Sequence, residues 1–116
     1  MPLNDAGKNV MLDAFAGVAV YGSLHDDDPS TTGANEISGG SPAYARKSIT
    51  WGSAASASVA ASNSPVFDVP GSTTVKYFGF FSASSGGTFY GSADVTDEAY
   101  GGQGTYTANS ITVSLT

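Results

Sequence analysis

The chain has 116 residues, ten acidic against four basic for a formal charge of −6, and no cysteine. That length fits a single domain over residues 1–116 with one modest core, and the lack of cysteine excludes disulfides, thiolate metal sites and a cysteine nucleophile. The acidic balance leaves no basic patch to release counterions from a phosphate backbone, so no nucleic-acid partner is expected.

Charged residues make up only 12%, about half the usual share, and Ser, Thr, Gly, Ala and Asn take their place. So weakly charged a surface suits a protein packed against copies of itself or a larger scaffold. The most apolar stretch, residues 10–20, is broken by Asp13 and is too short to span a bilayer, so no membrane partner is expected either.

In chain order, residues 3–16 read as a short helix, with Asn4 or Asp5 placed to cap its first N–H groups and Gly17 as its stop. Val10, Met11, Ala14 and Phe15 form an apolar stripe, with Lys8, Asn9 and Asp13 toward the polar side. The first 17 residues thus make a helical segment, and residues 18–116 a β-rich body. There the pattern alternates between turn clusters, giving candidate strands at 18–24, 48–52, 66–69, 74–82, 87–95 and 105–115, the last open to a split near Asn109. Residues 54–61 read as a weak edge strand. Residues 74–82 are apolar on both faces and should be central or covered by a partner. In the last strand Ile111, Val113 and Leu115 point one way and Ser110, Thr112 and Ser114 the other. The interval 26–46 shows neither period; a loop that long is functional or ordered by a neighbour.

His25 with Asp26, Asp27 and Asp28 offers hard ligands, but the spacing lacks the alternation of a calcium loop and reads as a solvated turn before Pro29, so no metal is expected. Ser23, His25 and Asp26 have the residue types of a catalytic triad without a nucleophile elbow or oxyanion loop, so neither catalytic residue nor cofactor is expected. Gly39-Gly40 and Gly86-Gly87 are turn glycines, lacking the Lys-Ser/Thr that a phosphate cradle requires. Glu36 or Asp28 could pair with Arg46 and pin the long loop to the sheet, an exposed pair worth about 0–1 kcal/mol. Trp51, Tyr77, Phe78, Phe80 and Phe81 are core or interface anchors, and Tyr100 sits in a Gly-rich loop tip suited to an intersubunit contact.

Four blocks carry a resemblance to a known family. They are Leu3-Asn4-Asp5-Ala6-Gly7-Lys8-Asn9, then Ser23-Leu24-His25 before an acidic, Pro-bearing turn, then Thr32-Gly33-Ala34-Asn35-Glu36-Ile37-Ser38-Gly39-Gly40, then Tyr44-Ala45-Arg46-Lys47 running into Ile49-Thr50-Trp51. With Tyr77-Phe78-Gly79-Phe80-Phe81 and Ser85-Gly86-Gly87-Thr88-Phe89, the chain resembles small virion structural proteins of tailed bacteriophages, variously labelled tail-fibre, minor tail or minor capsid proteins. Ser41-Pro42-Ala43 lengthens the link before Tyr44 relative to that pattern.

The expectation is an all-β fold, an antiparallel β-sandwich or partly open barrel of six to eight strands with a short N-terminal helix. The resemblance implies a non-enzymatic protein of the virion, assembled in the host cytoplasm. Capsid decoration is the first expectation, with copies of itself, as a trimer, and the major capsid protein as partners. A tail-fibre or tail-tip component that meets tail proteins and binds the host surface is the alternative. Assembly contacts are expected among Val10, Met11, Phe15, Glu36, Tyr44, Arg46, Trp51, Tyr77, Phe78, Phe80, Phe81 and Tyr100.

Overall fold

The computed structural model describes residues 2–116. Asn4 caps α1 (Asp5–Val18): its side-chain oxygen accepts from the Gly7 N–H at 3.0 Å, and Asp5 lies in the first turn, where the helix dipole favours an anion. The helix runs through Gly17, the expected stop, because Ala19 still donates to the Phe15 carbonyl at 2.8 Å. The Ala19 carbonyl in turn accepts the Trp51 indole N–H at 2.8 Å, so the body satisfies an otherwise free group and fixes the helix end.

Eight strands follow: β1 (Tyr21–His25), β2 (Lys47–Ser48), β3 (Ser58–Ala60), β4 (Val66–Val69), β5 (Thr73–Phe81), β6 (Phe89–Tyr100), β7 (Gly104–Thr107) and β8 (Thr112–Ser114). All pairings are antiparallel, in a four-stranded sheet of order β2-β1-β5-β6 and two pairs, β3-β8 and β4-β7. The all-β class with one N-terminal helix stands, as a sandwich-like fold without a closed barrel.

The differences in boundary have local causes. β1 starts later than the alternation suggested because the helix takes up Val18. β2 is cut to Lys47–Ser48, and Trp51 makes only an isolated bridge to Ala61. β6 extends past Val95 to Tyr100, with a register shift opposite Val75 and Tyr77. Its outer residues Asp94, Asp97 and Glu98 are exposed, the charged guard of an edge strand, and they hide the strand from a hydrophobic reading. The last segment splits where Ser110 takes a left-handed conformation, φ 57°.

Alternation along β1 and β5 gives the sheet two buried faces, one apolar and one mixed. Leu24 opposes Phe78 on one face; on the other, Ser23 opposes Gly79 and His25 opposes Tyr77. The first face packs on Phe67, Val69, Ala108 and Ile111, with Phe78 edge-on to Phe67 and Phe80 at centroid distances of 6.0 and 5.4 Å. The second is covered by the loop 26–46. Asp26 N–H bonds the Asn35 carbonyl and Ile37 N–H the Leu24 carbonyl, so the chain's own backbone orders this loop. Gly33 is required in it twice over: its φ is +78°, and a Cβ there would lie 2.7 Å from the Phe81 ring.

Candidate assembly and recognition surfaces

Arg46 locks the long loop from its end. Its Nε and Nη2 donate to the two oxygens of Glu36, each at 3.0 Å, and its Nη1 donates to the carbonyls of Ala83 and Gly86 at 3.0 and 2.8 Å. The guanidinium lies 3.5 Å from the centre of the Phe81 ring. Tyr44 adds a third link, donating to Glu36 at 2.8 Å while its oxygen accepts the Leu24 N–H at 3.0 Å. Burial works to raise the Glu36 pKa, but the hydrogen bonds from Arg46 and Tyr44 outweigh it and hold the carboxyl below its usual value. The same burial pushes the Tyr44 hydroxyl up. The pair is therefore no exposed ion pair: the side chains are only 10% and 23% accessible, and the two-pronged geometry is the strong form. Of the two acidic residues weighed for Arg46, Glu36 is the one engaged, while Asp28 is tied into its own turn.

Ser23 and His25 do meet. The His25 Nδ1–H donates to the Ala34 carbonyl at 2.8 Å, which leaves Nε2 to accept the Ser23 hydroxyl at 2.8 Å. Both side chains are fully buried, His25 between the Phe81 and Phe89 rings, so the pair fills the core under the loop. Burial lowers the His25 pKa, outweighing the bond to Ala34 and the Glu36 charge that act to raise it. Asp26, Asp27 and Asp28 point outward to solvent, and among the described residues no cluster of three metal-ligating side chains forms.

The helix presents its residues in an unexpected sense. Leu12, 2% exposed, is its buried side chain, and Phe15 packs edge-on to Trp51, Phe80 and Tyr90 at 6.1, 5.4 and 6.3 Å. The half-buried Asn9 and the still exposed Asp13 accept the backbone N–H groups of Ala57 and Ala54 at 3.0 and 2.9 Å. Val10 and Met11, expected on the packed stripe, are 71% and 52% exposed. Asn9 and Asp13 lie one helical turn apart on one face, the signal by which the inward side could have been found.

At the other end three loops converge, around residues 39–43, 70–72 and 101–103. The Gln103 amide joins two of them: its oxygen accepts the Ser41 N–H at 3.2 Å and its nitrogen donates to the Pro42 carbonyl at 3.1 Å. A Cβ on Gly71 would lie 3.1 Å from the Gly102 Cα, which brings in the third. Tyr100, at the base, donates to the Thr105 carbonyl at 2.7 Å. No charged side chain occurs in these loops. β5 starts at this tip, with Thr73 paired to Tyr100, and reaches Phe80 about 23 Å away at the rise of a strand. Phe15 rests there, so helix and tip occupy opposite ends of β5 in a molecule of 48 × 25 × 25 Å.

The remaining aromatic residues serve the interior. Phe78, Phe80 and Phe81 are buried, and Trp51 and Tyr77 half-buried, so none of these five is exposed in the single chain. Exposed apolar surface is concentrated on α1 and beside it, at Leu3, Val10, Met11 and Val18; Val66 and Tyr90 are the other large exposed apolar residues among those described.

Residues 5–114 match the family model described as Podophage GP4 fiber I protein gp80. No curated protein and no solved structure matches the chain.

Proposed function

The chain belongs to the family of podophage GP4 fiber I protein gp80, and on that premise we propose that it is a non-enzymatic tail-fibre component whose loop tip contacts the host surface. The family description makes it a structural protein of the phage virion and supports the fibre alternative over capsid decoration. The observation that carries the finer reading is the polarity of the molecule. One end bears an uncharged, Gly- and Ser-rich cluster of loops held together by Gln103, and the other bears the apolar outer face of α1. Loops on a rigid sheet suit recognition, while an exposed apolar face suits permanent contact with protein.

A tip of this chemistry would hold its ligand by hydrogen bonds from backbone and amide groups, with little electrostatic steering. Replacing Gln103 with Ala unties the loops 39–43 and 101–103 at exposed positions. Phage carrying Gln103→Ala should incorporate the protein normally and adsorb to host cells several-fold more slowly. Unchanged adsorption, after insertion of a bulkier loop at 101–103 as well, would remove the tip from host contact.

A further inference from the structure

We propose that the open side of the sandwich holds a binding cleft for one pyranose ring of a neutral glycan. β6 is the edge of its sheet, and the β4-β7 pair packs over β5 through Phe67 and Phe78, which leaves the neighbouring part of β6 uncovered. There Ala93, paired with Phe78 and so on the same face, is exposed, and Val95 is half-buried. The segment 108–112 between β7 and β8 forms the opposite wall, with Ser110 in its left-handed conformation. The cleft between the two walls has a volume of about 170 Å³.

Size and chemistry together select the occupant. A closed cavity of about 150 Å³ takes a benzene ring, so this cleft, open on one side, takes a single ring whose substituents reach the solvent. Its floor is the core itself, the buried Phe78, Phe80 and Ile111, and offers an apolar surface that is already in place. Its rim is polar and exposed, at Asn109, Ser110 and Thr112. The Asn109 side-chain amide and the backbone N–H groups of Asn109 and Ser110 make no hydrogen bond among the described residues, so they are free to serve a ligand as donors and, at the amide oxygen, as acceptor. A ligand that uses both surfaces has an apolar face and hydroxyls around its edge, which is the make-up of a pyranose. No lining side chain is charged, and the exposed Asp94, Asp97 and Glu98 of the same strand repel anions, which favours a neutral sugar over an acidic one.

The cleft shares no residue with the loop tip and is tested on the isolated full chain, so it stands or falls apart from the fibre reading. Titration with the methyl glycosides of glucose, galactose and mannose, each to about 100 mM, is followed by nuclear magnetic resonance. At least one of the three should shift the amide signals of Asn109 and Ser110 and the methyl signals of Val95 and Ile111, with a Kd in the millimolar range. Ala93→Leu fills the cleft from an exposed position and should abolish the shifts. Asn109→Ala removes the rim amide and should weaken binding about fivefold. Both variants should keep the circular dichroism and thermal transition of the parent chain. Cyclohexanol, a similar ring with a single hydroxyl, and glucuronate, a pyranose with a charge, should bind at least about tenfold more weakly than the glycoside. No shift with any of the three glycosides, shifts centred on the loops 39–43 and 101–103, undiminished binding in either variant, or equal binding of cyclohexanol or glucuronate would each overturn the neutral-sugar cleft. A cleft that binds the sugar in a protein found on the capsid would stand, and the fibre reading would be removed instead.

Discussion

Arg46 shows how one residue can settle a loop that has no period of its own. Its hydrogen bonds join Glu36 at the middle of the loop 26–46 to the turn that links β5 and β6. Arg46→Ala leaves Glu36 with a half-buried charge and frees two carbonyls, so it should destabilise the chain by about 2–4 kcal/mol in urea unfolding. Arg46→Lys should recover only part of that, since an ammonium cannot grip both carboxylate oxygens. The sequence offered Glu36 or Asp28 as the partner of Arg46 without deciding between them, and the burial of the pair was not legible, because nothing local shows that Phe81 lies under the guanidinium. His25 gives the pH response. Its folded pKa lies below the ordinary 6.5, so the unfolded chain takes up a proton that the folded chain refuses. Stability should fall as pH drops below about 6.5 and level off only beneath the lowered folded value. Glu36 adds a second loss at lower pH, as its depressed carboxyl is protonated. In His25→Asn, which keeps a donor toward Ala34, the urea midpoint should be lower throughout and flat between about pH 7 and 5; a wild-type slope in that variant would assign the response to another group.

Among the elements, α1 divides buried positions that carry stability from exposed ones that do not. Leu12 is buried, so Leu12→Ala should cost about 2–4 kcal/mol in the isolated subunit, whereas Val10→Ser should change its stability by less than about 0.5 kcal/mol. Equal losses in thermal unfolding would mean that Val10 also packs against its own chain. The helix and its apolar stripe were readable from spacing, and its cap was narrowed to Asn4 or Asp5, of which Asn4 caps. Its orientation was not, because Leu12 and Phe15 give it a second apolar side, and hydrogen bonds to Ala54 and Ala57 come from a segment about 45 residues away. The strands divide in the same way. Val66–Val69 was legible from its alternation, and β5 from its density of aromatic residues. The far half of β6 was masked by edge carboxylates, whereas the split left open near Asn109 falls between β7 and β8, where Ser110 turns left-handed.

Across the whole molecule, the two ends of β5 differ in kind, and the functional reading follows from that difference. The loop tip was foreseen only at Tyr100 and its glycines. Gln103 carried no sequence signal, since the residues it joins lie some sixty positions apart. The likeness to virion proteins was legible in the blocks around Glu36 and Tyr44, while the choice between shell and tail was not, because a weakly charged surface suits either place. That choice is open to direct observation by cryo-electron microscopy of intact particles, with the chain identified by its 48 Å long dimension and its helix. A tail-fibre component should give density on the tail, with α1 toward the particle axis and the loops 39–43 and 101–103 outermost. Density at regular positions over the capsid, or on the tail with the loop tip buried against the particle, would contradict a host-facing tip on a fibre.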